Sequence, residues 1–312
     1  MSLFRLLAAL QVVVVVVVVV AAAAAASAFR SSADDVHFLL WTSCASSSPG
    51  VIQAMTSTTA WCSETPPAWP PPLSTPRTPR WWWFTAFTSN GFTSWPVRAK
   101  TELLSRGSYN VISVDWEHLA ESPWYPQAVL HTQLVGERTA RLLEWLQEAA
   151  GLDVTQVQAT GHSLGSHVCG AIGQHLEKFR LPFITGMDPA GPFFYNVTEE
   201  HRLDPSDAEF VQVIHTDACS ILTVSKILKA GRNEGKGEAR GCNHDVAQDY
   251  WLESINGETP FLAHPCQDWD AFQAGLCDTC GKGCLQMGFH VEKNLTGTYY
   301  LRTSGASPYA MG

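Results

Sequence analysis

Val154-Thr155-Gln156-Val157-Gln158-Ala159-Thr160-Gly161-His162-Ser163-Leu164-Gly165-Ser166-His167-Val168 joins a strand-like run, a glycine-flanked serine and the start of a helix-like run in one stretch. Val154, Val157 and Ala159 alternate loosely with polar residues up to Thr160, the pattern of a short buried strand, and His167 to Phe179 reads as a helix. A serine at the sharp turn between two such elements presents its hydroxyl clear of both, and flanking glycines let the turn close without a Cβ clash. Gly-x-Ser-x-Gly alone also arises by chance in chains of ordinary composition, so the partners of Ser163 must decide its meaning.

A serine nucleophile needs a base to take its proton and a carboxylate to hold that base, and candidates for both lie downstream. Ile184-Thr185-Gly186-Met187-Asp188-Pro189-Ala190-Gly191-Pro192 places Asp188 where an apolar strand ends and a Gly/Pro turn begins, which is where open α/β sheets put their chemistry. Gly241-Cys242-Asn243-His244-Asp245 puts His244 on a loop just before a helical stretch, Val246 to Ile255. With 11 histidines in the chain, pattern alone does not select one. A glycine-rich turn, a capping Asp and a surface His form the plain alternative.

Further strands are expected at His37 to Trp41, Tyr109 to Asp115, Val154 to Thr160, Phe183 to Asp188, Phe210 to His215 and Tyr299 to Thr303. Between the second and third lies a helical stretch, Ala128 to Ala150, with Val135, Thr139, Leu142, Leu143 and Leu146 near one face. Strands alternating with helices argue a mostly parallel sheet covered on both sides. The N-terminus carries one charge, Arg5, then nine valines from Val12 to Val20 and an Ala-Ser-Ala ending at Ala28. That pattern predicts a secretory signal peptide over residues 1–28, although the apolar run is also long enough to anchor in a bilayer. The remaining chain is long enough for one α/β domain with a large core and has no internal repeat. A net charge of −9 without a basic run excludes nucleic acid as a natural partner, and neutral or zwitterionic lipid fits better than an anionic surface.

Gly161 to Val168, Thr185 to Pro192, Arg202-Leu203-Asp204-Pro205-Ser206-Asp207-Ala208, Val213-Ile214-His215-Thr216-Asp217 and Cys242-Asn243-His244 together resemble the pancreatic lipase family. The likeness is weak over Val36 to Thr56 and good from Phe87 to the C-terminus. It implies an α/β-hydrolase fold with Ser163 as nucleophile, Asp188 as carboxylate and His244 as general base and acid. It also implies an oxyanion hole built from the backbone N–H of Leu164 and, from a His-Gly-Phe loop after a Val/Ile-rich strand, that of Phe87. Here that loop is replaced by Trp81-Trp82-Trp83-Phe84-Thr85-Ala86-Phe87. Codons GTG GTG GTG GTT CAC GGC encode Val-Val-Val-Val-His-Gly and, read one base later, give Trp-Trp-Trp-Phe-Thr-Ala. Residues 57–86 of the N-terminal segment 29–86 therefore read as a shifted frame, with a diverged proline-rich loop as the alternative; residues 87–312 form the expected lipase domain. No C-terminal β-sandwich domain of the kind many members carry is expected within these residues.

Glu199, Arg202, Asp204 and Asp207 fall within nine residues, an acidic turn by itself and, by the resemblance, a structural Ca²⁺ site. Nine cysteines suit an oxidising compartment. By the resemblance Cys266 pairs with Cys277, Cys280 with Cys284, and Cys219 with Cys242 around a lid; Cys277-x-x-Cys280 alone also suits zinc or redox chemistry. Cys44, Cys62 and Cys169 stay unassigned, Cys169 expected buried on the helix after Ser163. Within the lid, Ile221, Val224, Ile227 and Leu228 recur at helical spacing, with Lys226, Lys229 and Arg232 elsewhere, which suits either a mobile amphipathic flap or a surface helix. The family's glycine-rich stretch after His-Thr-Asp is missing beyond Asp217. Asn196 and Asn294 head glycosylation triplets, Asn196 expected to be crowded by the calcium loop. The expectation is a secreted, monomeric serine lipase acting on acylglycerols at a lipid interface. The alternatives are a phospholipase A1, a non-catalytic lipid-binding relative and, least, a peptidase.

Overall fold

The computed structural model describes residues 17–18, 36–42, 50–51, 80–85, 94–107, 109–120, 125–217, 228–230, 240–281 and 283–312. In chain order the first elements are β1 (Val17–Val18), β2 (His37–Thr42), β3 (Gly50–Val51), β4 (Arg80–Thr85), α1 (Ser94–Arg106), β5 (Tyr109–Asp115) and α2 (Tyr125–Ala150). Next come β6 (Gln158–His162), α3 (Leu164–His175), β7 (Phe183–Met187), β8 (Val211–His215) and β9 (Leu228–Ala230). The chain closes with α4 (Arg240–Asn256), β10 (Phe261–Pro265), α5 (Trp269–Gln273), β11 (Leu285–Met287) and β12 (Tyr299–Leu301).

One sheet runs β1-β4-β5-β2-β3 and the other β11-β10-β12-β9-β8-β7-β6. Strand β4 lies beside β6, so the two sheets meet there. Pairing is parallel between β4 and β5 and continuously from β6 through β7, β8 and β9 to β12. Antiparallel strands close each end: β2 against β5 and β3, and β10 against β12 and β11. All of β7 is buried, as is β6 from Ala159 on, the near-continuous burial that a parallel sheet covered on both faces imposes. Helix α2 turns Val135, Thr139, Leu142, Leu143 and Leu146 inward; each of its buried aliphatic side chains contributes roughly 2 kcal/mol of transfer free energy.

Four departures from expectation have local causes. Val154–Gln156 is a turn of 3₁₀ helix, because the Asp153 side chain accepts the N–H of Thr155 at 3.1 Å and holds the chain out of extended geometry; the strand starts at Gln158. Helix α3 stops at His175 and not Phe179, since a carboxylate oxygen of Glu144 on α2 takes the N–H groups of Glu177 and Lys178 at 2.7 and 3.0 Å. The tryptophan run forms strand β4, in register with β5 from Arg80 opposite Tyr109 to Phe84 opposite Ser113, in keeping with the strand propensity of aromatic residues. Leu228 and Lys229 belong to β9, between Ile214 of β8 and Tyr300 of β12, and so are not helical.

Disulfides Cys266–Cys277 and Cys280–Cys284 both form, so Cys277 and Cys280 are each bonded to another cysteine and not to each other. Cys169 is buried on α3 with a free thiol, and burial pushes that thiol up. Cys44, Cys62, Phe87, Cys219, Ile221, Val224, Lys226, Ile227 and Arg232 lie outside the described residues, as do most of the signal segment and residues 57–79. The expected Cys219–Cys242 bridge falls there too.

Candidate active site

Ser163 follows the last residue of β6 and precedes the first of α3 with φ 57° and ψ −124°, a conformation that costs a non-glycine residue free energy and is held by its surroundings. Its N–H donates to Met187 O at 3.0 Å, tying the turn to the end of β7. A Cβ on Gly161 would stand 2.2 Å from Gly165 O, so the helix can fold back on the strand this closely only because residue 161 has no side chain. Leu164 is the first residue of α3, among the N–H groups that have no acceptor within the helix.

Asp188 follows the next strand, β7, and also has a positive φ, 41°. Its carboxylate is enclosed by donors: His244 Nδ1 at 2.6 Å on Oδ2, and the N–H groups of Thr216 and Asp217 at 3.1 and 3.2 Å with His215 Nδ1 at 3.4 Å on Oδ1. Burial alone would raise this carboxyl, but the hydrogen bonds and charges of His215 and His244 outweigh it and hold the group ionised well below the usual range. An ionised carboxylate only accepts, so His244 Nδ1 carries the proton and Nε2 keeps its lone pair. Burial lowers His244, and its bond to Asp188 with the charges of Asp188, Asp245 and Asp217 more than reverses that, leaving it raised. His244 sits in the first turns of α4 and not on a loop before a helix.

The residue before the serine ties the two halves together. His162 Nε2 donates to the His244 carbonyl at 3.0 Å, and the two rings are 4.4 Å apart, which places the elbow against His244. Because that carbonyl can only accept, Nδ1 of the neutral ring is the acceptor, and it takes the Gln248 amide N–H at 2.9 Å. Burial first, and the neighbouring His244 charge second, push His162 down to about 3, so it stays uncharged beside the His244 ring. Sequence reasoning gave no role to His162, His215 or Gln248. The first two lie inside quoted motifs, and Gln248 follows His244 by four residues, the spacing of one helix face.

The acidic loop packs on α3. Asp204 and Asp207 are buried, while the Glu199 carboxylate is exposed and faces Arg202 at 3.6 Å. Three oxygens, Asp207 Oδ1 and the carbonyls of Glu199 and Arg202, converge at 2.9, 3.3 and 3.4 Å on the Gln174 amide nitrogen. Burial pushes the Asp207 carboxyl up to about 7. A set of hard oxygens with a destabilised buried carboxyl fits Ca²⁺, with Glu199 offering its backbone oxygen. His167 bridges this loop to the aspartate turn, Nε2 donating to Ala190 O at 2.9 Å and Nδ1 accepting from Leu203 N at 3.0 Å. Asn196 and Asn294 are both exposed, so Asn196 is not crowded by the loop.

A family model described as Lipase matches residues 21–227 and 218–309. The chain belongs to the pancreatic lipase family. Its fold is accordingly that of an α/β-hydrolase, with a mostly parallel sheet flanked by helices. It is 32% identical over 261 residues to pancreatic triacylglycerol lipase of Oryctolagus cuniculus, covering 72% of this chain and 56% of that protein. Pancreatic lipase-related protein 3 of Homo sapiens is 35% identical over 248 residues, covering 67% and 52%. Inactive pancreatic lipase-related protein 1 of Canis lupus familiaris is 31% identical over 262 residues, covering 72% and 56%. The chain thus spans about half the length of these relatives.

Proposed function

We propose that the chain is a serine hydrolase of carboxylic esters, with acylglycerols as substrates, acting through Ser163, Asp188 and His244. The observation that carries this is the 2.6 Å bond between His244 and Asp188, held against the strained elbow by His162. In the proposed reaction His244 Nε2 takes the hydroxyl proton as Ser163 Oγ attacks the ester carbonyl. The same ring returns the proton to the leaving alcohol, and water then releases the fatty acid from the acyl-enzyme. Asp188 keeps the imidazole in the Nδ1–H form and stabilises its cation. The Leu164 N–H is the first oxyanion donor, and Phe87 is assigned the second.

Exposed Phe193, Tyr195 and Val197 follow Asp188 closely and support docking at a lipid interface, with the chain acting as a monomer. Ca²⁺ is assigned to the oxygens of Glu199, Arg202, Asp204 and Asp207, where it would supply structural cross-bridging. The two disulfides favour an extracellular site, reached by cleavage after Ala28. Two other readings each have an observation behind them. The stretch missing after Asp217 favours phospholipase A1, and Thr85-Ala86 at the place of His-Gly favours a lipid binder without catalysis, a state for which the family has an inactive relative.

The test is fatty-acid release from triacylglycerol emulsion and from phosphatidylcholine vesicles by the wild type and Ser163→Ala. The reading expects release by the wild type, faster from triacylglycerol, with lipid binding kept and release lost in the variant. Release only from phosphatidylcholine selects the phospholipase. Binding without release in either form selects the non-catalytic protein.

A further inference from the structure

Gln174 stands in the last turn of α3 with its side-chain nitrogen at the focus of the acidic loop. Asp207 Oδ1 lies 2.9 Å from it, Glu199 O 3.3 Å and Arg202 O 3.4 Å. Only two N–H groups are available to three acceptors, so one bond is short and two are long and shared. The acceptors leave the assignment of the amide unambiguous, since its oxygen at this point would face three oxygens. The amide N–H groups and a divalent ion would draw on the same three oxygen atoms.

The backbone that carries Gln174 packs directly against the loop. A Cβ on Gly173 would come 2.0 Å from Asp207 O, and one on Gly170 would come 2.7 Å from Asp207 Oδ2 and 2.9 Å from Leu203 Cα, so α3 and the loop are packed to the limit. The side chain itself has an exit. It borders an open pocket of about 500 Å³ lined by Gln174, Thr198, Glu199, Glu200, Ser206 and Asp207.

We infer that the Gln174 amide is an internal competitor of a divalent cation at this oxygen cluster. It holds the loop folded when no cation is bound and rotates out into the pocket when one binds. The inference rests on the calcium reading above and deepens it. Each binding event must break the amide contacts, so the site is weaker for Ca²⁺ than its oxygens alone would make it, and the calcium-free protein is better folded than a bare acidic loop would be.

Calorimetric titration with CaCl₂ and melting temperatures with and without EDTA test this without reference to activity. Gln174→Ala is expected to bind Ca²⁺ about tenfold more tightly, the effect of losing one hydrogen bond to a charged acceptor, and to melt lower in EDTA. At saturating Ca²⁺ its melting temperature should match the wild type. Gln174→Lys puts an ammonium among the same oxygens and should keep the EDTA melting temperature while abolishing Ca²⁺ binding. Binding by Gln174→Ala but not by the wild type would support the strongest form of the inference. If the wild type binds and Gln174→Ala binds equally or more weakly, or if Gln174→Lys binds as the wild type does, the competition is refuted while the calcium reading stands. If neither the wild type nor Gln174→Ala binds, both fail.

Discussion

At the scale of the residue, the site depends on two side chains held in opposite states of charge. Asp188 receives four donors and remains ionised, and it raises the basicity of His244 against the effect of burial. His162 contacts the same histidine and stays neutral, so no second cation forms beside the imidazolium. General-base catalysis needs His244 unprotonated, so a raised pKa moves the acid limb of the pH profile upward. We predict that kcat/KM for a short-chain ester rises with pH to a plateau, with a midpoint above the ordinary histidine value of about 6.5. Asp188→Asn should lower kcat by about 10³- to 10⁴-fold and move the midpoint down, because the carboxylate that fixed the tautomer and favoured the cation is gone. A profile unchanged by that substitution would remove Asp188 from the mechanism.

At the scale of the element, the turn from β6 to α3 concentrates the constraint. Gly161→Ala places a methyl 2.2 Å from Gly165 O, against backbone that cannot yield cheaply. Thermal denaturation should show a loss on the order of 3 kcal/mol, with activity lost in parallel because Ser163 is displaced. The meaning of Gly161-His162-Ser163-Leu164-Gly165 was legible in the sequence because strand, turn and helix each have their own local pattern. The buried face of α2 was legible for the same reason, through five residues at helical spacing. What was not legible depended on contacts between distant segments. The end of α3 is set by Glu144 on another helix. The cage around Asp188 needs the end of β8, 27 to 29 residues away, and the oxygen cluster needs Gln174, 25 residues before Glu199. Strand β4 was hidden for a different reason: a run of tryptophans matches no amphipathic period, and pairing with β5 supplies its order.

At the scale of the whole molecule, β4 pairs with β5 and lies beside the elbow strand β6. That position gives the frame of residues 57–86 a functional consequence. Transcript sequencing is expected to show codons for a Val-rich strand ending in His-Gly, and the protein so encoded should exceed the present chain in kcat by about 10²-fold, the worth of one oxyanion donor. A transcript that encodes the tryptophan run would refute the frame reading. The central claim is the triad, and its most direct measurement is peptide mapping by mass after reaction with an alkyl p-nitrophenyl phosphonate. We predict one phosphonyl group per chain, on the peptide that contains Ser163, lost in Ser163→Ala and strongly slowed in His244→Ala. Absence of adduct, or an adduct on any other residue, would contradict the account.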